Sequence, residues 1–186
     1  MRVKAFACFF TCLTSVLTWI ILQHHLTVPL PVWEVHCERI REEAISLDAI
    51  GLFFECLPDD PLLCKDQQTL EQNRRRLAFY ERFGARPLAN TLYETPVKPE
   101  DDCPPYLVFD GLGRRETVPA AEARAIVRAI LERKYGDYSG AEYNKMVINS
   151  TSGDPIVIRP PRYLSGKVTP GGPGRLAGEK EMAGGQ

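Results

Sequence analysis

The sequence predicts one α/β (α+β) domain, because segments with helical periodicity are interleaved with short apolar runs typical of strands. The chain has 186 residues, of which 44% are hydrophobic and 25% are charged. These values are typical of a globular protein with a real core. The net charge of −1 gives no indication of a nucleic-acid partner, which usually requires a basic surface.

The first 30 residues differ from the rest of the chain. Arg2 and Lys4 precede Ala5 to Leu22, eighteen residues without a charge, which at about 1.5 Å per residue would just cross a bilayer core. We expect an uncleaved membrane anchor, because no small-x-small cleavage site follows; a signal peptide is the alternative. A third interpretation is that this stretch does not belong to the natural domain.

Two helices and a strand are predicted next. Apolar residues spaced by three and four predict a helix over Trp33 to Leu47. The nearly uncharged run Gly51 to Leu57 predicts a buried strand. A second helix is predicted over Asp66 to Phe83, with Gly84 as its left-handed C-terminal cap.

The remaining elements follow a proline-rich connection. Strands are predicted over Leu88 to Thr95 and Tyr106 to Asp110, joined as a hairpin. A helix is predicted over Pro119 to Tyr135, and a last short strand over Asp154 to Arg159. We expect a helical extension over 113–163 and a disordered tail over 164–186, which is rich in glycine, proline and charge.

The cysteines and histidines predict no metal site. The six cysteines form no C-x-x-C pair, so we expect neither zinc nor a disulfide framework, and instead buried, reduced thiols. His24, His25 and His36 could join Cys37 around a metal, but no repeated ligand spacing supports this.

The stretch Asn73 to Gly84 reads NRRRLAFYERFG. Seven residues are about two helical turns, so Asn73 and Tyr80 project from the same side of the helix, whereas Phe79 points toward the core. This spacing, after one strand and before two more, resembles the GNAT superfamily of N-acyltransferases, whose motif reads N-x-x-A-x-x-F-Y-x-x-x-G-F. Arg76 stands at the alanine of that motif, and Ala85 stands at its final phenylalanine.

The resemblance implies a GNAT-like mixed, largely antiparallel sheet with packed helices, incomplete at its N-terminus. Residues 31–112 would form the C-terminal half of that domain and hold acetyl-CoA between the strand Gly51 to Leu57 and the motif helix. The resemblance also extends from Trp33 to Tyr163, where the chain looks like bacterial proteins in which a GNAT-like domain precedes a histone-deacetylase-like domain. No cluster of deacetylase-type zinc ligands follows, so no deacylase chemistry is implied.

The resemblance implies site residues of two kinds. By the resemblance, Tyr80 would be catalytic and would protonate the CoA thiolate. Independently of the resemblance, Glu55 is a candidate catalytic general base, because it is the only charge in an apolar strand. Glu55 could alternatively lie at an exposed sheet edge. The cofactor-binding residues would be Asn73 at the pantetheine arm, Phe79 in the motif, and Arg75 and Arg76 at the phosphates, although these arginines could also form a solvated helix face.

The expected function is acetyl transfer from acetyl-CoA to a primary amine on a small molecule or protein. The expected location is the cytoplasm, and the expected oligomeric state is a homodimer. The alternative is a non-catalytic interaction module, anchored as a single-pass membrane protein through Ala5 to Leu22. No glycine precedes Gly51, so the sequence lacks the glycine-rich loop that holds the CoA pyrophosphate in GNAT enzymes. If Ala5 to Leu22 spans a membrane, Arg2 and Lys4 would tend to keep the N-terminus in the cytoplasm and so place the domain on the opposite side.

Overall fold

The computed structural model describes residues 34–164 and, for residues 30–33 and Phe6–Ala7, the backbone alone. The strands are β1 (Phe6–Ala7), β2 (Leu52–Cys56), β3 (Arg86–Pro87) and β4 (Tyr106–Asp110). The helices are α1 (Leu30–Ser46), α2 (Gln67–Glu81), α3 (Ala120–Ile130) and α4 (Ala141–Ser150). A π-helical turn, Leu131–Tyr135, and a 3-10 turn, Gly136–Tyr138, connect the last two helices.

The strands form one mixed, largely antiparallel sheet in the order β1-β2-β4-β3. The central strand β4 runs antiparallel to β2 and to β3, whereas β1 runs parallel to β2. Leu52 lies opposite Asp110, and Arg86 lies opposite Phe109. The predicted α+β class is therefore confirmed.

The two faces of the sheet are covered by different helices. Successive residues of a strand point to opposite faces, and β2 accordingly sends Phe53 into the main core and Cys56 into a second cluster. The main core lies under α3 and α4, and we call this side the α3 face. The second cluster includes Leu77 of α2, and we call this side the α2 face.

Helix α2 has clear sequence determinants at both ends. The Asp66 carboxylate accepts a hydrogen bond from the Thr69 backbone N–H at 2.7 Å, as expected of an N-cap. Gly84 has a φ of +82°, which confirms the predicted left-handed cap. The segment between these ends carries the motif, so both termini of the motif helix are fixed locally.

The predicted helices over Trp33 to Leu47, Asp66 to Phe83 and Pro119 to Tyr135 are confirmed, and the strands over Gly51 to Leu57 and Tyr106 to Asp110 are confirmed with ends within one residue. Helix α4 lies within the helical extension expected over 113–163, but the sequence predicts no separate helix at this position. It buries only Val147, so its sequence carries little amphipathic periodicity.

The predicted strand Leu88 to Thr95 is wrong. Only Leu88 makes a bridge, to Ile158. Asn90 has a φ of +58°, and the Tyr93 backbone N–H donates to the Thr91 hydroxyl at 3.3 Å. Such local turn contacts compete with strand pairing.

The predicted strand Asp154 to Arg159 is also wrong. This segment makes two isolated bridges, through Ile156 to Val118 and through Ile158 to Leu88. A proline at position 155 and two more at 160 and 161 lack the N–H group that a continuous ladder requires.

Most of the N-terminal apolar stretch, Ala5 to Leu22, and the tail beyond residue 164 lie outside the described residues. Within the part of the chain that is described, no helix has the length and apolarity needed to cross a membrane.

Candidate functional site

Asn73 lies on the side of α2 that faces the chain just after β2. Its side chain is fully buried, and its Nδ2 donates to the Pro58 carbonyl oxygen at 2.8 Å. Its Oδ1 is buried and has no hydrogen-bond partner among the described residues. Asn73 therefore ties α2 to the end of β2 and retains one free acceptor beside it.

Tyr80 lies two turns further along the same side of α2. Its ring centroid is 4.7 Å from that of Phe54 in β2 and 5.5 Å from that of Phe79. Desolvation by burial raises the pKa of Tyr80 far above its usual value, with smaller contributions from Cys56 and Cys37, while the Arg76 charge opposes the shift. The phenol is therefore protonated at neutral pH and can act as a hydrogen-bond donor.

The other motif residues differ in how near they lie to Tyr80. Arg75 points away, since its side chain is 81% exposed and lies 3.6 Å from Glu71 in an i,i+4 pair. Arg76 is half-buried, and its charge acts on both Tyr80 and Cys56. Phe79 packs edge-on against Phe83, with the centroids 5.3 Å apart. Of the two arginines, only Arg76 lies near the phenol.

Glu55 lies on the α3 face, across the sheet from Tyr80. Its carboxylate accepts hydrogen bonds from the Tyr93 hydroxyl at 2.6 Å and the Tyr135 hydroxyl at 2.9 Å, and it pairs with Lys134. The structure therefore brings together Asn73, Arg76, Phe79 and Tyr80, but it does not bring Glu55 to them. Strand alternation alone indicates this, because Phe54 and Glu55 are adjacent.

A buried carboxylate beside the motif helix was not found from sequence. The Asp59 side chain is 0% exposed and forms ion pairs with Arg159 at 2.8 Å and with Arg162 at 3.2 Å. It also accepts a hydrogen bond from the Tyr163 hydroxyl. Burial by itself would raise the pKa of Asp59, but these hydrogen bonds and the two arginine charges hold it below its usual value.

Residues 159–164, here called the closing segment, are held by a second carboxylate. Glu81, at the end of α2, is buried and accepts hydrogen bonds from the backbone N–H groups of Arg162, Tyr163 and Leu164 at 2.9 to 3.1 Å. Tyr163 also packs against the cluster that includes Tyr80. The closing segment therefore covers part of the α2 face.

The partners of Asp59 are separated from it by 100 to 104 residues in the sequence. No spacing rule for helices or strands connects positions so far apart. The available sequence signal was weaker, namely an Asp pair directly after β2 and an arginine-rich closing segment. Arg159 keeps its Nε and Nη2 groups buried without a partner among the described residues.

The cysteine prediction needs a correction. Cys64 and Cys103 form a disulfide, with their Cα atoms 4.5 Å apart, so the expectation of no disulfide is wrong. The fold brings together two cysteines 39 residues apart, and sequence spacing could not reveal this proximity. Cys37 and Cys56 are free thiols, and burial raises their pKa values to about 11 and about 12.

The described residues contain no group of three or more His, Cys, Asp or Glu side chains that could hold a metal ion. His24 and His25 lie outside the described residues. Comparison with protein-family models, with curated proteins and with solved structures finds no match for this chain. Its function is therefore inferred from its own residues.

Proposed function

We propose that this chain carries the CoA-binding half of a GNAT-type N-acyltransferase, which moves an acetyl group from acetyl-CoA to a primary amine. The observation that supports this is the placement of the motif. Helix α2 follows β2, ends at Glu81 shortly before the left-handed Gly84 and leads into two antiparallel strands, with Asn73 and Tyr80 facing the end of β2.

Tyr80 supplies the proton in the proposed transfer. The neutral amine nitrogen forms a bond to the acetyl carbonyl carbon while the carbon–sulfur bond breaks, and the amine loses a proton to water. Negative charge develops on sulfur, and the Tyr80 phenol donates its proton there and regains one from water. Burial makes this phenol a weaker acid by raising its pKa, and the nearby Arg76 charge opposes that shift. Acetyl-CoA supplies only the activated thioester.

Asn73 and Arg76 would bind acetyl-CoA and would take no part in the proton transfer. The Oδ1 of Asn73 is buried without a partner among the described residues, and it would accept a hydrogen bond from an amide N–H of the pantetheine arm once α2 and the end of β2 separate. The partly buried guanidinium of Arg76 suits a phosphate group. Arg75 is exposed, so dissolved salt screens its charge and its attraction for phosphate is weaker than that of Arg76. The proposal gives Glu55 no step, because it faces the other side of the sheet.

The proposed reaction places the protein where acetyl-CoA is found, in the cytoplasm. Its acceptor is a primary amine on a small molecule or a protein, and the net charge of −1 favours no nucleic acid as partner. The proposal also includes assembly of the protein as a homodimer.

A second candidate is a non-catalytic interaction module. One observation favours it: Tyr163 packs against the cluster that includes Tyr80 and Phe54. Asp59 and Glu81 hold this closing segment through charged and backbone hydrogen bonds. In this candidate the α2 face is filled by the chain's own residues, and the fold serves as a binding surface.

Calorimetric titration of acetyl-CoA into the full chain separates the two candidates. We expect saturable binding, weakened at least tenfold in Asn73→Ala but not in Asn149→Ala, whose side chain is exposed. Tyr80→Phe should still bind acetyl-CoA but release free thiol more slowly with polylysine as the amine. A folded protein that shows no saturable binding would rule out the acyltransferase and leave the interaction module.

A further inference from the structure

A cavity of about 210 Å³ lies on the α3 face and is lined by four of the seven tyrosines of the chain. These are Tyr93, Tyr135, Tyr138 and Tyr143. We propose that this cavity binds the alkylated ammonium group of a small organic cation. The proposal is independent of the acyltransferase, because the cavity lies across the sheet from Tyr80.

Two of the tyrosines are fixed by Glu55. The Tyr93 and Tyr135 hydroxyls both donate to this one carboxylate, at 2.6 and 2.9 Å, and Lys134 neutralises it. The hydrogen atoms of both hydroxyls are therefore already donated within the protein. The rings, rather than the hydroxyls, are what these residues offer to a ligand.

The other two tyrosines are fixed in the same way. The Tyr143 hydroxyl donates to the Thr95 carbonyl oxygen at 2.7 Å, and the Tyr138 hydroxyl donates to the Asp101 carboxylate at 2.7 Å. All four rings are thus held in place before any ligand arrives. A preorganised aromatic wall loses little side-chain entropy on binding.

The charge around the cavity favours a cation. Asp101 and Asp102 line it, and none of the residues lining it in the described part of the chain is a lysine or arginine. Aromatic rings present a negative face that attracts ammonium groups within about 6 Å. Two lysine ammonium groups already lie over rings of the cavity, Lys98 at 4.2 Å from the Tyr138 centroid and Lys134 at 5.1 Å from the Tyr135 centroid, so a ligand cation would have to compete with them.

The apolar part of the lining favours an alkylated ammonium over a primary one. A primary ammonium brings three N–H donors that need acceptors, and the aromatic rings, prolines and Leu131 that make up much of the lining offer none. A fully alkylated ammonium has no N–H group to satisfy and still carries the charge. Its methyl groups can pack against the rings and against Pro104 and Pro105.

The test is a titration of the full chain, followed by NMR, with choline and with its neutral isostere 3,3-dimethylbutan-1-ol. We expect saturable choline binding and at least tenfold weaker binding of the neutral alcohol. Tyr138→Leu should weaken choline binding about tenfold, whereas Tyr138→Phe, which keeps the ring, should change it less than threefold. Lys98→Gln should tighten choline binding because it removes a competing ammonium.

Four results would overturn the proposal. The first three are equal binding of choline and its neutral isostere, unchanged choline affinity in a folded Tyr138→Leu protein, and methylammonium binding as tightly as tetramethylammonium. The fourth is the absence of saturable choline binding. Tyr138 is 45% exposed, so its substitution should leave the fold intact, which circular dichroism checks.

Discussion

Removing the buried charge of Asp59 should destabilise the protein strongly. In Asp59→Asn, the new amide group meets Arg159, which is 19% exposed, and the Tyr163 hydroxyl, both of which need an acceptor. Breaking a buried ion pair on one side costs about 3 to 5 kcal/mol. We expect about 3 kcal/mol, because Arg162 is 54% exposed and can be hydrated. At a urea m-value of about 2 kcal/mol/M, this lowers the unfolding midpoint by about 1.5 M.

Urea unfolding followed by circular dichroism measures this change, and Glu100→Gln, at an exposed carboxylate, should shift the free energy of unfolding by less than about 0.5 kcal/mol. Because the pKa of folded Asp59 lies below its unfolded value of about 3.9, the stabilisation is present above that pH and lost as the pH falls further. The difference between the wild type and Asp59→Asn should therefore shrink below about pH 4. Equal midpoints at neutral pH would refute this reasoning.

Three further predictions concern stability. Cys103→Ala should lower the free energy of unfolding by about 4 kcal/mol, because its disulfide with Cys64 closes a loop with a separation of 39 residues; equal urea midpoints with and without reductant would contradict this. All seven tyrosines have raised pKa values, burial being the main cause for most, so stability present below about pH 10 should be lost as the pH rises further. Tyrosinate absorbance should then rise together with unfolding, and a midpoint near 10 in the folded protein would contradict it. Gly111→Ala should cost about 3 kcal/mol, since its Cβ would lie 1.7 Å from the Arg115 carbonyl oxygen. Gly84→Ala, with open space around it but a φ of +82°, should cost only about 1 kcal/mol, and thermal melts that reverse this order would count against both assignments.

Local patterns accounted for the elements whose ends are set by nearby residues. The cap of Asp66 and the left-handed Gly84 define α2, and the apolar run of β2 is buried as expected. Segments held by distant contacts were not predictable in this way. The strand pattern over Leu88 to Thr95 failed for a different, local reason, because turn contacts at Asn90 and Thr91 override it.

The residues of the candidate site also differ in whether local spacing or distant contacts position them. Helical spacing placed Asn73 and Tyr80 on one side of α2, and strand alternation could have separated Glu55 from them. The ion pairs of Asp59 join positions about 100 residues apart, and the disulfide joins cysteines whose spacing carries no pattern. Such contacts depend on the assembled sheet, which no local period encodes.

The most direct test of the proposed function is amide hydrogen exchange of the full chain with and without acetyl-CoA, using ATP as a control for unspecific phosphate binding. The proposal predicts slower exchange in β2 and in the Asn73 to Tyr80 part of α2 with acetyl-CoA but not with ATP. Unchanged exchange in these two elements at saturating acetyl-CoA would contradict it.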